Sequence, residues 1–317
     1  MGLRRRPKDM ILVTGGAGFI GRRVCAVFSG HGQDVIAVDR QFASPVPYQS
    51  AIGDLTDRGF LAALFEEHSF DAVVHLASLL NTASGQQPQA AMRVNIGVSL
   101  DLLQLAVESG VRQLVYGSSI SAYGPKPLPD YAAVSETAPA APNSVYGKSK
   151  RYVEVVGEAC RQQTGLRFVA LRIASVVGAG AKSAASMWRS ELFEKLTARA
   201  PTTIHIPYCP SETVPLVHVE DVAGVIGRLV EADKVDHSIY NTPSESWRIG
   251  ELAEYVGRLN EHIRFTFGES LVHDIPQVID DRRFTGEFGY KAVPIKQRLS
   301  DFIYRNTVKV TTDGLSC

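Results

Sequence analysis

The chain has 317 residues, 45% of them hydrophobic and 21% charged, and its formal net charge is zero. This composition is typical of a soluble globular protein with one large domain or a domain and a smaller lobe, and it gives no reason to expect nucleic acid or an anionic membrane as a partner. No apolar run approaches the ~20 residues that cross a bilayer, and the basic cluster Arg4–Lys8 lacks the apolar segment of a signal peptide.

The four cysteines are scattered along the chain without any CxxC pair, at Cys25, Cys160, Cys209 and Cys317. Their spacing indicates neither a disulfide framework nor a zinc site. We therefore expect reduced thiols, a cytoplasmic location and no metal site.

The first predicted element is the apolar run Met10–Val13, which leads into the glycine cluster Gly15–Gly21. Such a run indicates a buried parallel strand that turns sharply into a helix. Glycines at this turn allow unusual backbone angles and a close approach to a pyrophosphate, and the helix N-terminus offers free N–H groups. The pattern predicts a dinucleotide-binding turn, although alone it fits an ordinary glycine-rich turn equally well.

A second apolar run, Asp34–Val38, ends at Asp39, close to the ~20-residue spacing of the carboxylate that binds an adenosine ribose. A carboxylate there accepts hydrogen bonds from both ribose hydroxyls and repels a 2′-phosphate, which favours NAD over NADP. Arg40 weakens this preference because a guanidinium accommodates a phosphate. The structural alternative is that Asp39 only caps a loop.

A short strand is predicted at Gln49–Ile52, followed by Asp54. This side chain is placed to bond an adenine amino group or to cap a helix that starts near Thr56. Another buried strand is predicted at Asp71–Leu76, and the small residues 77 and 78 after it would let a cofactor lie across the strand end.

Helical periodicity runs over residues 86–109 and stops at Gly110, and the next strand begins at Leu114–Tyr116. Alternating strands and helices of this kind specify an open parallel sheet with helices on both faces. The ligand of such a sheet binds at the carboxyl ends of its strands.

Tyr146 and Lys150 stand four residues apart at the start of a helix predicted to run to about Thr164, so their side chains share one face. An ammonium this close is expected to stabilise phenolate and lower the tyrosine pKa, which makes Tyr146 a general acid or base. A surface Tyr–Lys pair is common by chance. Its position after a dinucleotide fingerprint and the serine pair 118–119 favours the catalytic interpretation.

Later elements are predicted less sharply. A Gly/Ala/Ser-rich loop from Val176 precedes a helix around Ser186–Thr197 and an insertion at Pro201–Pro215. A helical apolar stripe formed by Leu252, Ala253, Val256 and Leu259 is most simply explained by core packing.

Together these stretches resemble the NAD-dependent epimerase/dehydratase family of extended short-chain dehydrogenase/reductases. The matching stretches are TGGAGFIG (14 to 21), VDR (38 to 40), GDL (53 to 55), HLAS (75 to 78), Asn95, SSISAYG (118 to 124), YGKSK (146 to 150), LRIASVVG (171 to 178), VHVEDVA (217 to 223) and YNTP (240 to 243). The ordered set spans residues 10 to about 243 and is highly specific for the family.

The resemblance implies an α/β fold, a Rossmann-type doubly wound parallel sheet with a smaller C-terminal substrate-binding lobe. Residues 1–175, joined by about 216–243, would bind NAD, and residues 176–215 and 244–317 would form the substrate-binding lobe. The helices over 86–109 and 146–164 would pair with a second subunit, which implies a homodimer.

The resemblance also implies roles for single residues. Tyr146 would be the acid/base, Lys150 would also bind the nicotinamide ribose, and Ser119 would hydrogen-bond the reacting oxygen. The implied cofactor-binding residues are Gly15, Gly18, Phe19, Ile20, Asp39, Arg40, Asp54, Leu55, Leu76, Ala77, Ser78, Asn95, Tyr146, Lys150 and Ile173. The implied substrate-binding residues are Ser121 and Ser175.

The chain departs from the nucleotide-sugar members of the family, which typically have an asparagine where Ser175 stands and arginines near Val214 and Leu271. A diphosphate needs such charge-assisted donors. Four other cations could take the place of the missing arginines, namely Lys182, Arg189, Arg282 and Arg283. Residues of these types are more often solvated surface charges. We therefore expect a small polyol, sugar acid or similar substrate, loosely as in the uronate and threonine dehydrogenases of the family.

Two alternatives stay open. The first is a nucleotide-sugar epimerase, since a dehydratase normally has an Asp-Glu pair where this chain has Ile120-Ser121. The second is a non-catalytic NAD-binding sensor, although such proteins tend to lose the tyrosine or the lysine.

Overall fold

A computed structural model of the chain describes residues 10–125, 133–181, 183, 186–272 and 274–313, with side chains to residue 306. The strands are β1 Met10–Thr14, β2 Val35–Asp39, β3 Gln49–Ile52, β4 Phe70–His75, β5 Gln113–Ser119, β6 Arg167–Ile173, β7 Ser175–Val177, β8 Thr202–Tyr208, β9 Thr213–His218, β10 Ile239–Asn241, β11 Glu245–Arg248 and β12 Ile263–Ser270.

The α-helices are α1 Gly21–Gly30, α2 Arg58–Glu67, α3 Asn81–Gln86, α4 Pro88–Ala91, α5 Val98–Glu108, α6 Val145–Gln163, α7 Met187–Glu194, α8 Val219–Glu231, α9 Ile249–Leu259, α10 Arg282–Phe288 and α11 Ile295–Asp313. A π-helical turn, Met92–Gly97, joins α4 to α5, and short 3₁₀ turns occupy Ile120–Ala122 and Lys195–Thr197.

Seven parallel strands form the central sheet in the order β10-β6-β5-β4-β1-β2-β3. The strand order reverses between β1 and β4, and ligands of doubly wound sheets bind in the crevice beside such a point, outside the carboxyl ends of the strands. The predicted Rossmann-type fold is confirmed.

Both faces of this sheet are covered, which explains the absence of polar alternation in its strands. In β1, Ile11 and Val13 pack into the cluster under α1 and α8, whereas Leu12 packs into the opposite cluster under α2, α5 and α6. The predicted bounds of β3 agree with the structure, and α6 ends one residue before the predicted Thr164.

A smaller lobe carries two further sheets, β11-β9-β7 and β12-β8. Its core joins α7, α9 and the start of α11 around Trp188, Ile204 and Leu252. The predicted loop from Val176 begins instead as β7, because Ser175–Val177 pairs with β9. In contrast, α10 packs on the nucleotide-binding side, where Phe284 contacts the ring of Tyr240.

The helical run Pro88–Glu108 is, by length and composition, apolar enough to cross a bilayer. This helical run departs from the expectation that no apolar run approaches the length needed to cross a bilayer. It is weak evidence for a membrane span, since core helices pass the same test. Leu102 and Leu103 of this run pack into the core under the sheet.

Candidate active site

The turn after β1 is tightly packed. Gly15 has a φ of 71°, and a Cβ there would lie 2.8 Å from the backbone nitrogen of Ala77. A Cβ on Gly21 would lie 2.1 Å from the carbonyl oxygen of Gly15. No side chain caps the N-terminus of α1 at Ile20. A glycine cradle before an uncapped helix end fits a pyrophosphate, whose charge the helix dipole stabilises.

Asp39 ends β2 and connects that strand to the glycine turn. One carboxylate oxygen accepts a hydrogen bond from the Ala17 amide at 3.1 Å and the other accepts one from the Arg40 amide at 2.8 Å. Each carboxylate oxygen keeps acceptor capacity for a ribose hydroxyl. The arrangement therefore suits an NAD ribose. The same two amide hydrogen bonds also give Asp39 a local structural role, in line with the alternative that it caps a loop.

Asp54 and Leu55 follow β3 at the same edge. The Asp54 carboxylate accepts hydrogen bonds from the amide and the hydroxyl of Thr56, which lower the pKa of Asp54. The cap of α2 is Asp57, which binds the first free amides of that helix. The side chain of Leu55 is buried in the core, so it presents only its backbone toward the crevice.

Asn95 lies in the π-helical turn and is buried. Its side-chain oxygen accepts a hydrogen bond from the Leu79 amide at 2.7 Å, and its side-chain nitrogen donates one to the Leu79 carbonyl at 3.0 Å. These contacts hold the segment that follows β4, including Ala77 and Ser78. Asn95 therefore positions the segment that lines the crevice. π-helical turns of this kind are frequent at functional sites.

Lys150 lies on α6, whose first turn is capped by Ser144. The residue is 2% exposed, and its ammonium donates a hydrogen bond to the Gly117 carbonyl at 2.7 Å. The Lys150 nitrogen lies 5.5 Å from the centre of the Tyr146 ring and 4.7 Å from that of Tyr116. The structure thus brings the predicted Tyr–Lys pair to the end of β5.

Two serines, Ser119 and Ser78, hydrogen-bond the Tyr146 hydroxyl. Ser119 is held in turn by Ser121, whose amide donates to the Ser119 hydroxyl oxygen at 3.1 Å. The two hydroxyls of Ser119 and Ser121 are 3.2 Å apart. Sequence reasoning placed Ser119 here but assigned Ser78 only to the cofactor, because the approach of the segment after β4 to α6 is a contact between distant parts of the chain that no local pattern shows.

Burial raises the pKa of Tyr146, and the hydrogen bonds from Ser119 and Ser78 offset part of that rise. This corrects the expectation that Lys150 lowers the tyrosine pKa. The physical reason is that the Lys150 ammonium bonds the Gly117 carbonyl, while the phenol is desolvated. Burial also lowers the pKa of Lys150 to about 7, with Glu154 acting in the opposite direction.

His75, at the end of β4, supports the floor of the site and was not singled out from the sequence. Its two ring nitrogens contact the Thr14 hydroxyl at 2.7 Å and the Ser99 hydroxyl at 2.9 Å. The Ser99 hydroxyl donates to the Asn95 carbonyl, so it accepts from Nε2–H of His75. Burial, with a smaller contribution from Lys150, lowers the pKa of His75 to about 3, which keeps the ring neutral.

The remaining predicted residues lie along the strand ends. Ile173 pairs with Ser119 in the sheet register, and Ser175 begins β7 beside it. Val214 is buried in the core of the smaller lobe, and Leu271 is about half exposed. Neither position carries a cation in place of the arginines that are typical of the nucleotide-sugar members of the family. The rest of the predicted cofactor set, Gly18, Phe19, Ile20, Arg40 and Leu76, belongs to the same edge of the sheet.

The three cysteines Cys25, Cys160 and Cys209 have free thiols, and Cys317 lies outside the described residues. Over residues 10–125, 133–181, 183, 186–272 and 274–313, no group of three or more His, Cys, Asp or Glu is placed to hold a metal ion.

The buried Lys150 predicts a pH dependence of stability. Its pKa is about 7 in the folded protein and ordinarily 10.5, so the unfolded chain binds more protons between these values and stability rises with pH there. From about pH 7 to about pH 9, wild-type protein should gain about 2 kcal/mol of unfolding free energy relative to Lys150→Met. Urea unfolding of both proteins at a series of pH values in this range measures the difference. If the unfolding free energies of the two proteins changed in parallel with pH, Lys150 would remain protonated in the folded protein and the prediction would be wrong.

Residues 11–242 match the NAD dependent epimerase/dehydratase family. Among curated relatives, the UDP-glucose 4-epimerase of Lacticaseibacillus casei is 33% identical over 179 residues, covering 53% of this chain and 52% of the relative. That of Mus musculus is 31% identical over 195 residues, covering 55% of each chain. The chain thus spans about half the length of the curated relatives it matches.

Solved structures cover more of the chain. An L-threonine dehydrogenase from Phytophthora infestans has a TM-score of 0.84 at 22% identity and covers 95% of this chain and 100% of its own. A UDP-glucose 4-epimerase from Thermotoga maritima, with UDP-glucose, has a TM-score of 0.80 at 24% identity and covers 94% and 99%. These likenesses establish the shared fold.

Proposed function

Because the chain belongs to the NAD dependent epimerase/dehydratase family, whose cofactor is NAD, we propose that it is an oxidoreductase acting on a secondary alcohol or ketone of a small polyol, sugar acid or related metabolite. The supporting observation is the state of the cations in the substrate-binding part. Arg282 is bonded to Asp280, and Arg283 contacts Glu136. A diphosphate needs several free charge-assisted donors, and these arginines already have carboxylate partners.

The proposed mechanism assigns each polar group one task. When bound, the cofactor would supply the hydride acceptor for oxidation of the substrate carbon, or the hydride donor for the reverse reaction. Ser119, fixed by Ser121, hydrogen-bonds the substrate oxygen and holds it beside Tyr146. The phenol oxygen of Tyr146 takes up or returns the hydroxyl proton. Ser78, on the segment after β4, hydrogen-bonds the same phenol, and Lys150 would bind the nicotinamide ribose.

In this proposal residues 1–175 and 216–243 bind the cofactor, while 176–215 and 244–317 bind the substrate. The small-molecule substrate enters at the carboxyl edge of the sheet. Neither nucleic acid nor a membrane is a partner, and the protein acts in the cytoplasm.

A UDP-sugar 4-epimerase is the second candidate, and the curated relatives favour it. Their match covers about half of each protein and so leaves much of the substrate-binding part outside the comparison. A non-catalytic sensor is the third candidate, and the short distance between Lys150 and Tyr146, 5.5 Å from the nitrogen to the ring centre, supports an enzyme instead.

The test is a comparison of two assays on the same preparation with added NAD. Polyols and hydroxy acids are followed by NADH absorbance, and UDP-glucose is followed by chromatography of the sugar nucleotides. We expect NADH and ketone in equal amounts from at least one small secondary alcohol. Conversion of UDP-glucose to UDP-galactose without net NADH would overturn the proposal in favour of the epimerase.

We also infer that the protein forms a homodimer through the helices around α5 and α6. Apolar side chains on α6 are exposed, with Tyr152 at 50% and Val155 at 49%, and Met92 on the preceding π-turn is exposed as well. Apolar side chains grouped on one helical surface indicate an interface.

Tyr152→Glu should weaken this dimer at least about tenfold, because a charge would be buried against the partner's apolar side chains. Light scattering after gel filtration measures the mass. Tyr304→Glu on α11, where the side chain is 71% exposed, is the matched control and should leave the mass unchanged. A monomeric wild-type protein would contradict the inference.

A further inference from the structure

Of the four cations that could compensate for the missing arginines, Lys182 lies outside the described residues and two arginines already contact carboxylates. Arg189, on the first turns of α7, differs from both. Its Nε atom is buried without a hydrogen-bond partner, and no described carboxylate forms an ion pair with it. The adjacent Trp188 indole nitrogen is also buried and unpartnered.

A guanidinium in this state is costly. Arginine keeps its charge at any pH a protein meets, and buried charges are ordinarily paired. Burial lowers the pKa of Arg189 to about 10, and the group that acts against this shift is the phenol of Tyr208. The residue as a whole is still partly accessible. An anion from solution can therefore reach the guanidinium and supply the negative charge that no described residue provides.

The position of α7 connects this cation to the site. The next residue, Ser190, accepts hydrogen bonds from the amides of Gly180 and Ala181 at 2.7 and 3.0 Å. The Gly180 carbonyl accepts one from Arg22 at 2.9 Å, and Arg22 directly follows the glycine turn in α1. The helix turn that carries Arg189 is thus fixed to the loop after β7, beside the predicted cofactor cradle.

We propose that Arg189 binds a carboxylate of the substrate, which makes the substrate a hydroxy acid. This deepens the proposed function and rests on it. Unlike Arg282 and Arg283, Arg189 has no carboxylate partner among the described residues, and its planar guanidinium fork suits both oxygens of a carboxylate at once. The ring of Trp188, 5.8 Å from the guanidinium carbon, flanks the site.

The reaction leaves the carboxylate unchanged. The C–H bond of the secondary alcohol breaks and its electron pair leaves with the hydrogen as hydride, which reduces NAD⁺ to NADH. The O–H bond breaks and its proton goes to Tyr146 in its phenolate form, which then passes it to solvent, so the alcohol becomes a ketone and one proton is released overall.

The test compares each acid with its own primary amide, using 3-hydroxybutyrate, threonine and a hexonate. For the acid that the wild-type enzyme oxidises, Arg189→Gln should lower kcat/KM about 10- to 100-fold, the loss of hydrogen bonds to a charged group. The kcat/KM of the amide should change less than about threefold, and Arg189→Lys should recover part of the activity on the acid. Arg199→Gln, at an exposed position, is the matched control.

Thermal unfolding with NADH and the acid gives a second readout that does not depend on turnover. The acid should stabilise the wild-type enzyme and not Arg189→Gln. Equal losses of kcat/KM on the acid and on its amide would overturn the proposal and assign Arg189 a structural role. Unchanged activity of Arg189→Gln on the acid would also overturn the proposal. If the wild-type enzyme oxidised neutral polyols and discriminated against acids, the carboxylate-binding proposal would be wrong and the proposed function would stand. If no secondary alcohol yielded NADH, the proposed function itself would be wrong.

Discussion

Replacing Tyr146 by Phe should lower kcat about 10²- to 10⁴-fold, the range for loss of a positioned acid/base, while NADH should still bind. The variant removes one oxygen, to which Ser119 and Ser78 are hydrogen-bonded, and leaves the ring that packs beside Lys150. Turnover is measured as NADH formation with the best small alcohol, and NADH binding is measured by fluorescence titration.

Two controls separate the role of the hydroxyl from a general disturbance of the site. Tyr304→Phe removes a hydroxyl from an exposed position on α11 and should retain wild-type turnover. Circular dichroism should show that both variants unfold at temperatures near that of the wild type. A Tyr146→Phe enzyme with full turnover would remove this residue from the mechanism.

Gly21→Ala should weaken NADH binding about tenfold or more, because overpacking at a rigid contact costs on the order of 1–3 kcal/mol. The added Cβ would stand 2.1 Å from the Gly15 carbonyl oxygen, so the backbone of the cradle must move. Gly30→Ala is the matched control on the same helix, since nothing lies within 4 Å of a Cβ there. NADH titration measures both variants, and equal affinities would contradict the assigned position of the pyrophosphate.

The nucleotide-binding half could be predicted closely because local patterns determine it. Apolar runs such as Ile11–Val13 have one stable placement, in a sheet covered on both faces. The four-residue spacing of Tyr146 and Lys150 puts both side chains on one helix face irrespective of tertiary contacts. By contrast, β7 is three residues long in a stretch rich in Gly, Ala and Ser, and it becomes a strand only by pairing with β9.

The energetics of the site depended on contacts between distant segments. Proximity of a lysine suggested a lowered tyrosine pKa, but desolvation by the surrounding elements acts more strongly on Tyr146. Ser78 is 68 positions from Tyr146 in the sequence numbering, and their hydrogen bond joins the segment after β4 to the first turn of α6. Arg189 looked like any surface cation until the structure showed which arginines have carboxylate partners.

The central claim is that a secondary alcohol transfers its carbinol hydrogen directly to the nicotinamide in the site formed by Ser119, Tyr146 and Lys150. The most direct measurement is a single turnover with the best alcohol substrate deuterated at the carbinol carbon, followed by mass spectrometry of the reduced cofactor. The account predicts one deuterium at nicotinamide C4 for each ketone formed. Ketone formation with the deuterium lost to water would contradict it.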